Sequence, residues 1–239
     1  MHVAKVDGAF RNIDRPRPAT QLAPIKGDAV RDLVRNASKS LLQHVLLPRS
    51  FVWRVPRAAG VALTFDDGPD PAFTPALLDL LREVGVRATF FLIGSKVQTQ
   101  PGLAARIVAE GHALGCHGFD HRVITAMSRA ELGADLERCR AAILSASGID
   151  TYLFRPPRGE VNVASIRGVH SHGYRLVHWG LTDSDYRQDG LDPLLDRMTA
   201  RAPRPGDVVL LHDNNAYTLQ ALSRMLPRWK DAGLDFVNL

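Results

Sequence analysis

The chain has 239 residues, 45% of them hydrophobic, which is enough to bury one large core or two small ones and too much for a disordered protein. Its formal charge of +5 is uneven: residues 1–57 hold 11 Lys+Arg against 4 Asp+Glu, and the remainder holds 19 against 21. With few aromatics and no nucleic-acid motif beside the basic stretch, nucleic acid is excluded as the expected partner; two cysteines exclude a disulfide framework, and no apolar run approaches the roughly 18 to 20 residues that cross a bilayer.

Residues 1–27 are rich in Pro and Arg without a sustained period and read as a loosely ordered arm. From Asp28, a suitable N-cap, Val30, Val34, Ala37, Leu41 and Val45 recur at helical spacing until Pro48. A basic arm with an amphipathic helix suits peripheral contact with an anionic membrane surface, although a solvated tail and a helix packed beneath the core are the plainer alternatives. Met1–Asp7 lacks the apolar core of a secretory signal, so a chain starting there is expected in the cytoplasm, with any such contact at the inner membrane face.

Beyond Gly60, strands and helices alternate. Expected strands are 61–65, 88–93, 113–116, 151–154, 175–179, 208–211 and 235–237. Apolar stripes between them predict helices: Leu77, Leu80, Leu81 and Val84; Leu103, Ile107 and Val108; Leu132, Leu136, Cys139 and Ile143, opened by the capping box Ser128-x-x-Glu131 and closed at Gly148. A weaker helix covers 164–172, another follows Asp192-Pro193 with Leu194, Leu195 and Met198, and the last carries Leu219, Leu222, Leu226 and Trp229, with a kink expected at Pro227. Seven strands with intervening helices imply a parallel sheet with right-handed crossovers. Asp66, Asp67, His117, Arg155, the 182–186 stretch and His212 all fall at C-terminal strand ends, which converge on one face only if the sheet curls. The expected fold is therefore a distorted (β/α) barrel of seven parallel strands, preceded by the arm and helix of residues 1–57.

The strand ending in Leu63-Thr64-Phe65-Asp66-Asp67-Gly68-Pro69 delivers two adjacent carboxylates to that face. They could be turn residues, since Asp-Gly is a common turn dipeptide, but two repelling carboxylates at a strand mouth call for a cation or for one of them to stay protonated. His117 and His121, four apart, would face the same way if the loop turns helically, and two imidazoles with one carboxylate make the three-ligand set of a catalytic metal with an open position. Arg155, braced by Pro156-Pro157, is suited to holding a carboxylate ionised, and His212, at the end of an apolar strand, becomes a candidate general acid beside a metal.

From Val61 onward, these motifs in this order resemble the polysaccharide deacetylase family, the NodB homology domain, and Thr-Phe-Asp-Asp-Gly-Pro carries much of the likeness. The resemblance implies a catalytic domain over residues 58–239 that removes N-acetyl, and in some members O-acetyl, groups from amino sugars in a glycan, oligosaccharide or lipid-linked saccharide. It implies one divalent metal, with Zn²⁺ expected and Co²⁺ or Ni²⁺ as alternatives, held by Asp67, His117 and His121. Asp66 becomes the catalytic base, Arg155 its partner, His212 the acid and Asp185 the carboxylate that orients it. The Arg158 N–H becomes an oxyanion donor, Leu210 a wall of the acetyl pocket and Tyr186 a residue bordering the substrate. Gly118 stands where the family usually has Ser or Thr, Arg158 where it has an aromatic, and Thr182 and Tyr186 where it has Asp and Trp, which bears on substrate more than on chemistry. Two other classes compete: a catalytically silent sugar-binding or scaffold protein with the same barrel, and a metal-dependent phosphatase. Nothing in the sequence sets an oligomeric state.

Overall fold

The structure, a computed structural model, describes residues 51–239. The arm and amphipathic helix expected before Pro48 lie outside these residues. Eight parallel strands form one sheet: β1 (Phe51–Val52), β2 (Ala62–Gly68), β3 (Thr89–Leu92), β4 (Ala113–Cys116), β5 (Leu153–Phe154), β6 (Arg175–Val177), β7 (Leu181–Thr182) and β8 (Val208–His212). The spatial order is β1-β6-β5-β4-β3-β2-β8-β7. The chain leaving β1 returns across the bottom of β8 through an antiparallel Arg54–Asp207 bridge and a Val55 N–H to Gly206 O bond of 3.0 Å. The two edges are thus drawn toward each other into a distorted (β/α) barrel.

The count is eight rather than seven for a local reason. β1 and β7 are two residues long and show no period, so the sequence gives no strand signal for either. Conversely, the strand expected over 235–237 reduces to one bridge between Val61 and Phe236. The stretch expected at 175–179 ends at Val177, and Phe51–Val52, which the sequence assigns to the arm, supplies an edge strand.

The helices follow the apolar stripes. They are α1 (Thr74–Val84), α2 (Gly94–Thr99), α3 (Pro101–Ala109), α4 (Arg129–Ser147), α5 (Val163–Ser171), α6 (Leu191–Ala200) and α7 (Ala216–Asp231). The capping box forms as expected, with Ser128 Oγ accepting from Glu131 N and Glu131 Oε2 from Ser128 N. α4 ends at Gly148 with φ 73°, a left-handed C-cap that glycine adopts without steric cost. α7 continues through Pro227 to Asp231. No helix among the described residues is long and apolar enough to cross a membrane.

The core lies inside the curled sheet and between it and the helices. Val61, Ala62, Leu63, Phe65, Phe90, Phe91, Leu92 and Val208, Val209 and Leu211 are fully excluded from solvent. Such continuous apolar strands belong to a parallel sheet covered on both faces. Polar residues on these strands or just beyond their ends, among them Thr64, Asp66, Asp67, Arg155 and His212, mark where the site is built.

Candidate metal and catalytic site

β2 carries both aspartates inside the strand, and ordinary alternation would send their side chains to opposite faces. A bulge prevents this. Asp66 pairs with Phe91 and Gly68 with Leu92, which leaves Asp67 as the extra residue, with φ 73°. The bulge turns Asp67 so that both carboxylates serve one site. Lys96 Nζ donates to the Asp67 carbonyl at 2.7 Å, and Asn214 Nδ2 lies 3.4 Å from Asp67 Oδ2, so this unusual backbone is held from two sides.

Asp67 Oδ1 stands 3.4 Å from His117 Nε2 and 3.2 Å from His121 Nε2, and the three candidate ligand atoms lie within 4.8 Å of one another. His117 Nδ1 donates to the Arg155 carbonyl at 2.8 Å, which fixes the tautomer and leaves the Nε2 lone pair directed at Asp67. Burial pushes the Asp67 carboxyl up, but the facing imidazoles of His117 and His121, with His212 beyond them, outweigh it and hold the group well below the ordinary carboxylate range. Asp67 Oδ1 is buried without a well-formed hydrogen bond. An orphaned carboxylate oxygen facing two imidazole nitrogens fits a divalent cation, which would satisfy all three at once.

The two histidines do not face each other through a helical turn. The loop from Gly118 to His121 is irregular, with φ 77° at Gly118 and 56° at His121. Gly118 is therefore more than a lost hydroxyl: its backbone is left-handed, and a Cβ there would stand 3.2 Å from Asp135 Oδ2. Asp135 itself accepts from Phe119 N at 3.0 Å and braces this loop from α4.

Asp66 has different partners. Arg155, fully buried, donates from Nη1 to Asp66 Oδ1 and to Thr64 Oγ1, each at 2.7 Å, and from Nη2 to the His178 carbonyl at 3.0 Å. Its guanidinium also lies 4.2 Å from the Phe91 ring centre. Burial pushes the guanidinium's pKa down and Asp66 opposes this, yet an arginine keeps its charge at any ordinary pH. The second Asp66 oxygen remains on the metal side, 3.7 Å from His117 Nε2.

His212 pairs with Asp66 across β2 and β8. Its Nδ1 donates to Asp185 Oδ1 at 2.8 Å, and its backbone N–H donates to Asp185 Oδ2 at 2.8 Å. Thr218 Oγ1 donates to the same Oδ2 at 2.7 Å, and Asn215 Nδ2 donates to the Asp185 carbonyl at 2.8 Å. Burial lowers the pKa of His212, but Asp185, aided by the charges of Asp66 and Asp67, overrides it and raises the group to about 9.

Leu210, two residues before His212, shares its strand face and is buried. Tyr186 is 58% exposed, with its ring centre 6.1 Å from that of His212, and borders the opening. Arg158 is exposed on the Pro157–Gly159 turn with φ 58°. The structure thus brings Asp66, Asp67, His117, His121, Arg155, Asp185 and His212 together, with Leu210 and Tyr186 beside them. Sequence reading passed over Thr64, Lys96, Asn215 and Thr218, which touch the site through a hydroxyl, an ammonium or a side-chain amide, and His178, which reads as structural, contributes its backbone carbonyl. Asp213 was also missed: burial pushes its carboxyl up to about 7, and it accepts from Thr74 Oγ1 at 2.8 Å next to Gly68. His112 lies in the core, where its Nδ1 accepts from Ala88 N at 3.1 Å.

Residues 54–177 match the family model of the polysaccharide deacetylases. A peptidoglycan-N-acetylglucosamine deacetylase of Bacillus cereus is 36% identical over 206 residues, covering 83% of this chain and 96% of the relative. A chitooligosaccharide deacetylase of Sinorhizobium fredii is 35% identical over 190 residues, covering 74% and 88%. The crystal structure of the Bc1960 peptidoglycan N-acetylglucosamine deacetylase superposes with a TM-score of 0.74 at 30% identity, covering 80% of this chain and 91% of that one. The motif order, the curled parallel sheet and these likenesses agree, and the chain belongs to the polysaccharide deacetylase family.

Proposed function

We propose that the protein is a metal-dependent hydrolase that removes N-acetyl groups from an amino-sugar glycan. The observation that carries this reading is the division of labour within one aspartate pair: Asp67 faces two imidazoles, while Asp66 is held by Arg155. A site that only bound sugar would have no use for a buried guanidinium aimed at one carboxylate and an Asp185-held histidine across from it.

A divalent cation held by Asp67, His117 and His121, when bound, supplies Lewis acidity toward water and the acetamide carbonyl. Zinc is the expected ion for this donor set, with cobalt or nickel as alternatives. Asp66, held in place by Arg155, takes the proton from the attacking water. His212, kept protonated by Asp185, presents Nε2–H and gives its proton to the departing amine; without that transfer the amide nitrogen is a very poor leaving group. The Arg158 N–H is the candidate donor to the developing oxyanion, and Leu210 packs against the acetyl methyl.

Relatives act on peptidoglycan and on chitooligosaccharides by name. The test is acetate release from N-acetylated chitooligosaccharides and from peptidoglycan fragments, with Zn²⁺, Co²⁺ and Ni²⁺ supplied in turn. Release by the wild type but not by Asp66→Asn supports the reading; no release from either class with any of these ions would overturn it.

A further inference from the structure

The bridge that draws the barrel edges together has a second consequence. Arg54 and Arg57 leave β1 and reach the chain before β8, where Arg204 lies, while Arg201 follows α6. These four arginines line one cleft of about 720 Å³ whose floor includes Gly180, Leu181 and Asp207. Glycine keeps this region open. A Cβ on Gly206, where φ is 100°, would stand 3.1 Å from Arg57 Cγ, and one on Gly180 would stand 3.2 Å from the Trp53 carbonyl.

The charge in the cleft is poorly balanced. Asp207 lies 3.4 Å from Arg54 Nη1, and Asp183 lies 4.0 Å from Arg201 Nε, whose Nη2 donates to the Thr182 carbonyl. The side chains of Arg57 and Arg204 have no ion pair or side-chain hydrogen bond among the described residues. Counting both carboxylates as ionised still leaves an excess of two guanidiniums. A single carboxylate ligand would leave part of this charge unmatched, whereas a phosphate or diphosphate presents several oxygens to planar, multidentate donors. The cleft opens at the N-terminal ends of β7 and β8, five residues down β8 from His212, about 16 Å at the usual strand rise, so it is separate from the deacetylase site.

We propose that this four-arginine cleft is a binding site for a phosphate-bearing ligand, independent of the deacetylation chemistry. The ligand is either a soluble phosphate ester or diphosphate, or the phosphomonoester head group of an anionic lipid; both offer the same chemistry to the guanidiniums.

The test uses the full chain and the double variant Arg57→Ser, Arg204→Ser, chosen because neither side chain has an ion pair or side-chain hydrogen bond among the described residues. Calorimetric titration with inorganic pyrophosphate and co-sedimentation with phosphatidylcholine vesicles, with and without phosphatidic acid, are run on both proteins. Binding to wild type that falls at least about tenfold in the variant, the scale of one lost charge-assisted hydrogen bond, supports the proposal. A loss seen with pyrophosphate identifies a soluble ligand, and a loss seen only with phosphatidic acid vesicles identifies a lipid head group. Acetate release from a neutral chitooligosaccharide and the melting temperature are expected to be unchanged. Equal binding by both proteins, or no binding by wild type in either assay, would overturn the proposal.

Discussion

Arg155 Nη1 and Asp66 Oδ1 lie 2.7 Å apart, and both side chains are almost completely withdrawn from water. The pair joins β5's end to β2 across the barrel interior, and Thr64 Oγ1 accepts from the same Nη1 while the His178 carbonyl accepts from Nη2. Its stability and its catalytic role are therefore inseparable, because the guanidinium that positions Asp66 is also what makes a buried carboxylate tolerable there.

Arg155→Ala is expected to leave Asp66 buried without a counter-charge, at a cost of about 3 to 5 kcal/mol, with loss of activity. Arg155→Lys keeps the charge but cannot reach Asp66, Thr64 and the His178 carbonyl from one planar group. It should fold better than the alanine variant and still turn over poorly. Chemical denaturation together with acetate release reads both effects, and a lysine variant of full activity would refute the requirement for the fork.

Metal binding should separate the two aspartates. The double variant Asp67→Ala, His117→Ala is expected to lose divalent metal, while Asp66→Asn keeps it and loses roughly 10² to 10⁴ in turnover as a missing general base. Elemental analysis of the purified proteins decides the matter. If Asp66→Asn loses metal as readily as Asp67→Asn, the roles within the pair are reversed.

The pH dependence turns on His212. Asp185 favours the imidazolium, so Asp185→Asn should move the alkaline limb of the rate profile to lower pH, and His212→Ala should remove that limb. The same linkage affects folding of the metal-free protein. With a folded pKa raised to about 9 from an ordinary value near 6.5, His212 contributes stability that is complete below about 6.5 and is lost as pH rises through about 9. Melting curves of wild type and Asp185→Asn should therefore converge toward high pH. Curves separated by a constant amount from pH 6 to 10 would show that the aspartate does not act through the histidine.

Gly118→Ser restores the hydroxyl residue usual in the family but places it at φ 77°. The left-handed backbone alone costs about 1 to 2 kcal/mol for a non-glycine residue. A melting temperature lower by about 2 to 8 °C is expected. An unchanged or higher value would mean that the new hydroxyl finds Asp135 and offsets the strain.

The sequence by itself determined the chemistry and most of the strand–helix alternation. Asp66, Asp67, His117, Arg155 and His212 were legible because each stands at the end of an apolar run, where a polar side chain has no structural reason to be, and His121 because it follows His117 by four residues. The apolar stripes placed the helices for the same reason, since a buried face imposes its period on the chain. The resemblance then supplied the role of Asp185, which nothing in its immediate surroundings announces.

Only the tertiary structure decided the rest. Strands of two residues, such as Phe51–Val52 and Leu181–Thr182, owe their existence to neighbours already in the sheet, so no local pattern reveals them. The bulge at Asp67 depends on the register of β2 against β3, which adjacent residues do not encode. The groups that orient the site, Thr64, Lys96, Thr218 and the carbonyls of Arg155 and His178, act through a single hydroxyl, ammonium or backbone oxygen. Such groups occur everywhere in a chain, and long-range packing alone determines which of them meet a carboxylate.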